Sequence, residues 1–302
     1  MGIRDVFRKE EKLDKEVKKV FDKIDAVLTA KRMVNEAISY RNLGKHDRAI
    51  SLLKEVIRDY PVYVPAKTIL GTTLAMSGDI DGAELQFNKI LAEHAQGHDC
   101  PLIEVYANLG LLYNNHRQDI KTSLKYYQLA LNAPRPQVID DKAYEFMVSN
   151  VYKDLCLVYF KEQQFSLAKQ FALQRLQTVD DCPSASRALG CCLFFELLQK
   201  GVDVESDTDA GALTKVLKYL QIALKANPMD HAVVAYSALT LFYVRHMKCW
   251  GGNTAAIETI EQREKEYFHH LRKYSQLSNT AMAAYQIYQD NVASFLSGCE
   301  RG

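Results

Sequence analysis

An alternation of small and large residues that recurs about every 34 positions constrains this chain more than any other feature. From Ala30 onward it runs through Met33, Ala37, Tyr40, Ala49, Leu53, Val56 and Pro61. It returns as Leu70, Gly71, Leu74, Ala83, Phe87 and Ile90, then as Tyr106, Leu109, Gly110, Tyr113, Tyr127, Ala130 and Pro134. Small residues at these spacings mark places where two helix backbones cross, and the large ones fill the space beside the crossing. A helix pair of this kind cannot bury its apolar face alone, so it stacks on the next pair. The pattern predicts an all-α stack of about six helix pairs, an architecture whose default role is binding.

The turns between helices are legible from their chemistry. Lys31 to Leu43 reads as a first helix ended by Gly44 in a left-handed cap, and Asp47 precedes its partner, Ala49 to Arg58. Gly78 and Asp79 repeat that turn, and Asn115 to Asp119 make the third, with one extra residue before Ser123. Pro134 and Pro136 forbid helix between Ala133 and Gln137. From Ser149 the pattern continues as Tyr152, Leu155, Cys156, Tyr159 and Ala168. Between Gln199 and Thr214 it is broken by an insertion of about 14 residues, placed at about 200–213. Asp203, Glu205, Asp207 and Asp209 there predict a solvated acidic loop; a calcium site lacks the glycine and terminal glutamate of an EF-hand. A second irregular loop, Cys249 to Asn253, holds Trp250 as either a buried anchor or a partner-facing contact.

Residues 1–29 form a separate segment in this scheme, with the repeats over 30–253 and a helical cap over 254–302. Within residues 3–28, Val6, Leu13, Val17, Val20, Ile24 and Val27 lie on a seam of threes and fours interrupted by Glu10. Three roles fit the seam: a capping helix laid on the first repeat, a dimerising coiled coil, or a membrane-surface helix. Mixed charge on the other faces weakens the last.

In these residues the chain resembles the tetratricopeptide repeat family, whose template runs aromatic-x-x-Leu-Gly-x-x-Tyr, then Ala-x-x-x-Phe, then Pro. The resemblance implies a right-handed superhelical solenoid in which the first helix of each pair lines a concave groove. Positions 2, 5, 9, 12 and 13 of each repeat then face the groove. Repeat three places Glu104, Ala107, Leu111, Asn114 and Asn115 there, and repeat four places Asn150, Lys153, Leu157, Phe160 and Lys161. Repeat five adds Ser184, Arg187, Cys191, Phe194 and Phe195; repeat six adds Phe242 and Tyr243. The partner-binding candidates are Asn114, Asn115, Asn150, Lys153, Phe160, Arg187, Phe195 and Tyr243, which suit a peptide or helix with apolar anchors and carboxylates. The carboxylate clamp of chaperone-binding relatives is absent: its positions hold Val34, Ile38, Glu104 and Asn108, or Lys153 and Leu157.

The chemistry elsewhere is sparse. There is no phosphate-binding glycine loop, no Gly-x-Ser-x-Gly elbow and no His-Glu-x-x-His, so a catalytic site, a metal and a cofactor are not expected. The one cluster of metal-ligating types, His94, His98, Asp99 and Cys100, straddles Gly97 in what reads as a polar linker. A net charge of +1 argues against nucleic acid. Seven cysteines with no Cys-x-x-Cys pair argue for a reducing, cytoplasmic setting. The expectation is a non-enzymatic adaptor, chaperone or assembly factor that binds an acidic protein or peptide. The second reading is a scaffold self-assembling through its N-terminal helix.

Overall fold

A computed structural model describes residues 3–299 apart from 98–99, 137–138, 180–181, 251–252 and 277; the side chains of residues 3–16, Trp250 and 298–299 are also outside the description. Among the described residues the regular structure is helical and no strand occurs. The chain divides into two compact units, residues 1–140 and 141–302. The boundary follows Pro134 and Pro136, where helix cannot continue.

Unit one holds three antiparallel pairs: α1 (Ile3–Asn42) with α2 (His46–Asp59), α3 (Val64–Ser77) with α4 (Ile80–Ala95), and α5 (Leu102–Leu112) with α6 (Ile120–Leu131). Gly44 and Gly78 close their helices at φ 73° and 93°, a region only glycine enters freely. Asp79 and Asp119 then cap the next helices by accepting from the backbone N–H of Gly82 at 2.9 Å and of Thr122 at 3.0 Å. The extra residue of repeat three is absorbed in a π-helical turn, Tyr113–Arg117, that extends α5 and ends at Gln118 in the left-handed region (φ 55°).

The crossings are built on size complementarity. A Cβ at Gly71 would lie 2.6 Å from the Phe87 ring, and one at Gly110 would lie 2.8 Å from the Tyr127 ring. Both rings are fully buried. Ser123, at the next small site, donates its hydroxyl to the Gly110 carbonyl at 2.8 Å.

The separate N-terminal segment expected over residues 1–29 does not exist as such. α1 runs unbroken from Ile3 to Asn42, because no glycine, proline or cap interrupts it around Leu28. Its packing does stop: Ala30, Val34 and Ala37 are buried in the repeat core, whereas Val17, Val20, Ile24 and Val27 are each about half exposed. Over residues 17–28 these side chains are therefore not laid on repeat one. Val6, Glu10 and Leu13 fall among the side chains outside the description.

Unit two contains α7 (Asp141–Lys161) with α8 (Phe165–Thr178), α9 (Pro183–Lys200) with α10 (Asp207–Ala226), and α11 (His231–His246) with α12 (Thr254–Ser275). A short 3-10 turn, Lys248–Trp250, follows α11, and α13 (Asn279–Cys299) packs on both α11 and α12. The segment expected as a cap from residue 254 thus supplies the second helix of repeat six, and only α13 is additional. Leu271, Ala284 and Tyr288 join α11 in one core, and the Tyr288 hydroxyl donates to Glu264 at 2.6 Å.

The insertion is also a correction. Most of it lengthens α9 and α10, and Asp209 is buried rather than solvated. Its carboxylate accepts from Lys200 Nζ at 3.1 Å and from the Asp203 backbone N–H at 3.0 Å, while the Ser206 hydroxyl accepts from the Asp209 N–H. Those bonds tie the turn into a short loop and hold the Asp209 carboxyl below its ordinary range.

Overpacking one crossing tests this architecture. Gly110→Ala puts a methyl group into the Tyr127 ring, which has no free volume to move into. It is expected to lower unfolding free energy by about 1–3 kcal/mol despite the better helix propensity of alanine. Urea denaturation of the two proteins reads the difference.

Candidate functional site

The first helices of the pairs carry the candidate surface. In unit one, α3 and α5 lie side by side, and a pocket of about 210 Å³ opens between them. Thr72, Ala75 and Met76 line it from α3, with Asn108 and Leu111 from α5, and Phe87 and Leu112 from the core. The π-helical turn adds Asn115 and His116. Tyr113 anchors that turn by donating its hydroxyl to Glu84 at 2.6 Å, a bond that with burial pushes the phenol up to about 12. Arg117 pairs with Asp81 and, at 3.1 Å, with Glu84. Asn114 is half-buried and donates to Asn115 Oδ1 at 2.8 Å, which leaves the Asn115 NH₂ group as a donor at the pocket rim.

Unit two treats its candidates differently. Asn150 is half-buried on α7. Lys153 Nζ sits 3.3 Å from Asp154 Oδ1, and Asp154 is almost wholly enclosed. Burial pushes the Asp154 carboxyl above its ordinary range and Lys153 offsets that push, so this cation has an internal duty. The Arg187 Nε donates to Asp230 Oδ2 at 2.6 Å, and Asp230 is itself the N-cap of α11, accepting from the Val233 N–H at 3.2 Å. The two cations expected to receive a partner's carboxylate therefore already hold carboxylates of this chain.

The aromatic candidates are packed. Phe160 and Phe195 meet edge to face at 5.5 Å, with Phe165 at 5.2 Å from each and Tyr236 at 5.2 Å from Phe195. They join successive repeats. Tyr243 is only 7% exposed because Phe295 of α13 stands 5.5 Å from its ring and 5.3 Å from that of Phe242. The surface expected at repeat six is covered by the chain's own last helix. Of the eight candidates, Asn115 is the one that lines this open, partly apolar pocket.

The other eight lining residues were outside that candidate set. Thr72 and Met76 occupy in repeat two the template positions that Leu111 and Asn115 occupy in repeat three, so the same rule finds them. Asn108 and His116 fit no groove position, and the π-helical turn, which sequence periodicity does not reveal, brings His116 to the rim. The histidine-rich linker is resolved by its neighbours: α4 ends at Ala95 and Gly97 takes φ 93°, so no helix face carries His94 on. His98 and Asp99 lie outside the described residues. Among the described residues, no three metal-ligating side chains gather as a metal site requires, and no helix is long and apolar enough to cross a membrane.

Residues 33–61 match the family model of the tetratricopeptide repeat. Among solved structures, the fold is similar to PilF of Pseudomonas aeruginosa, at a TM-score of 0.62 and 14% identity over 87% of this chain and 97% of that one. It is similar also to PilW, a type IV pilus biogenesis factor, at 0.57 and 15% over 84% and 97%. The Cut9–Hcn1 complex of the APC/C gives 0.51 and 17% over 70% of this chain and 36% of that one. Sequence comparison with curated proteins gives no significant match. The chain thus carries a match to the tetratricopeptide repeat over residues 33–61, and its all-α solenoid fold is similar to that of these structures.

The internal duty of Lys153 can be measured. Lys153→Met leaves the enclosed Asp154 without its nearest cation, and is expected to cost about 1–3 kcal/mol of stability at pH 7. The cost falls as pH drops and Asp154 takes up a proton, because the unpaired charge is then gone. Guanidinium unfolding at pH 7 and pH 4 reads both values. An equal loss at the two would assign Lys153 no role in neutralising Asp154.

Proposed function

We propose that this chain is a non-enzymatic protein-interaction module, and that unit one receives its partner on the face formed by α3 and α5. The pocket between Met76 and Leu111, with Asn115 at its rim, carries this reading. Its volume of about 210 Å³ suits one large apolar side chain. The amides beside it supply both donors and acceptors, which is what a peptide backbone needs when it leaves water. An apolar anchor on a short peptide or helix fits better than the acidic ligand first expected, since Lys153 and Arg187 are engaged internally. PilW is described as a pilus biogenesis factor, and Cut9 is solved in complex with Hcn1; both support a role in assembly or recruitment. The odd cysteine count without a Cys-x-x-Cys pair supports a cytoplasmic setting.

Selection of a random peptide library on the intact protein tests the site. Enriched peptides are expected to share one apolar anchor and to bind Met76→Asp/Leu111→Asp at least tenfold more weakly. Peptides that bind both proteins equally, or a selection that enriches nothing, would remove this face from consideration.

A further inference from the structure

Over residues 17–28, α1 presents a surface that the described residues leave uncovered. Val17, Val20, Phe21, Ile24, Val27 and Leu28 lie on one side of the helix and are 45–64% exposed. Together they show roughly 600 Å² of apolar surface, at the upper limit of the largest patch on an ordinary monomer. The stripe ends abruptly. Seven residues after Ile24 and Leu28, the same face carries Lys31 and Asn35, both exposed. Along the edge of that face Val34, seven residues after Val27, is apolar and buried in the repeat core, so it is the exposed part of the stripe that is confined to the segment before Ala30.

Helix energetics make this a demand for a partner. Beyond Ala30 the helix has little tertiary packing to hold it, and an isolated helix of this length is marginal in water. At its Val27 edge the stripe runs into an apolar notch of about 490 Å³, lined by Val27, Ala30, Tyr60, Val62 and Tyr63. Val62 is 81% exposed there.

We propose that a second copy of this chain covers the stripe, the two α1 helices packing side by side into a homodimer. Val17, Val20, Ile24 and Val27 repeat at steps of three and four, the spacing that only another helix of the same period can interlock with. Phe21 and Leu28 flank that seam and widen it. Two stripes laid face to face can remove at most about 1,200 Å² from water, which reaches the lower bound for a specific interface. The remaining faces carry Lys18, Lys19, Asp22, Lys23 and Asp25, cations and anions interspersed, which gives an anionic membrane little to attract. The pairing is independent of the α3–α5 pocket, so failure of either leaves the other standing.

Sedimentation equilibrium of the full chain tests the dimer. The intact protein is expected at twice the chain mass, and Val20→Asp/Ile24→Asp at half the intact value. The variant should also lose ellipticity in proportion to the unsupported helix, while its cooperative unfolding transition persists; persistence shows that the repeats remain folded. Asp22→Lys, on the opposite side of α1, should leave the dimer intact. A wild-type chain that stays monomeric at every concentration would overturn the proposal, as would a mass unchanged by the two aspartates. So would a monomer that floats with phosphatidylserine-containing vesicles, which would make the stripe a lipid contact.

Discussion

The structure depends on the way one helix of each pair gives up volume that its partner occupies. Gly71 opposes Phe87, Gly110 opposes Tyr127, and Gly190 opposes Leu220, where a Cβ would lie 2.7 Å from the leucine side chain. In repeat one, Ala37 and Leu53 share the core at the corresponding positions; both are fully buried. Repeat four varies the solution. Cys156 and Ala172 are both small, and the bulk moves one residue along to Phe171, stacked on Tyr159 at 5.6 Å and 3°. Close packing leaves no slack at such sites, so volume is traded across the crossing rather than added.

That constraint explains which departures from the repeat are tolerated. Repeat three separates its pair by one residue more than repeat two, and repeat five by many more, yet both crossings survive. The surplus goes where it disturbs no crossing. One residue is stored as a π-helical turn at the end of α5, fastened to α4 through Tyr113 and Arg117. The larger surplus lengthens α9 and α10 beyond the crossing and is closed by Asp209. Sequence periodicity located both surpluses, because it counts residues between fixed points. It could not tell loop from helix: four acidic residues near 200–213 look solvated until Lys200 and the backbone of Asp203 turn out to satisfy one of them.

The repeat register was legible in the sequence, and the exposure of individual side chains was not. A template position says which way a residue points from its own helix; it says nothing of what the next element brings. Arg187 is assigned to the groove by its template position, but Asp230, forty-three residues later, reaches it as a by-product of capping α11. Tyr243, assigned to the groove in the same way, is covered by Phe295 of the last helix. Asn115 stays open because the residues beside it on α3, Thr72, Ala75 and Met76, are small or flexible and carry no charge to pair with it.

A helix stack has two kinds of end, and the chain treats them unequally. Where repeat six stops, α13 lies on α11 and α12, bringing Ala281, Ala284 and Tyr288 into burial and turning a bonded Tyr288–Glu264 pair inward. Alanines at the contact let the helices approach closely, and the polar pair fixes their register. The outer side of α1 has no such neighbour; its valines, isoleucine and phenylalanine are large, spaced for a partner helix and left in water. Had this end evolved only to stop, charged residues would serve it better. An apolar stripe left in water over residues 17–28, on a helix that buries Ala30, Val34 and Ala37 in its own repeat, is a face built for a second copy of the chain.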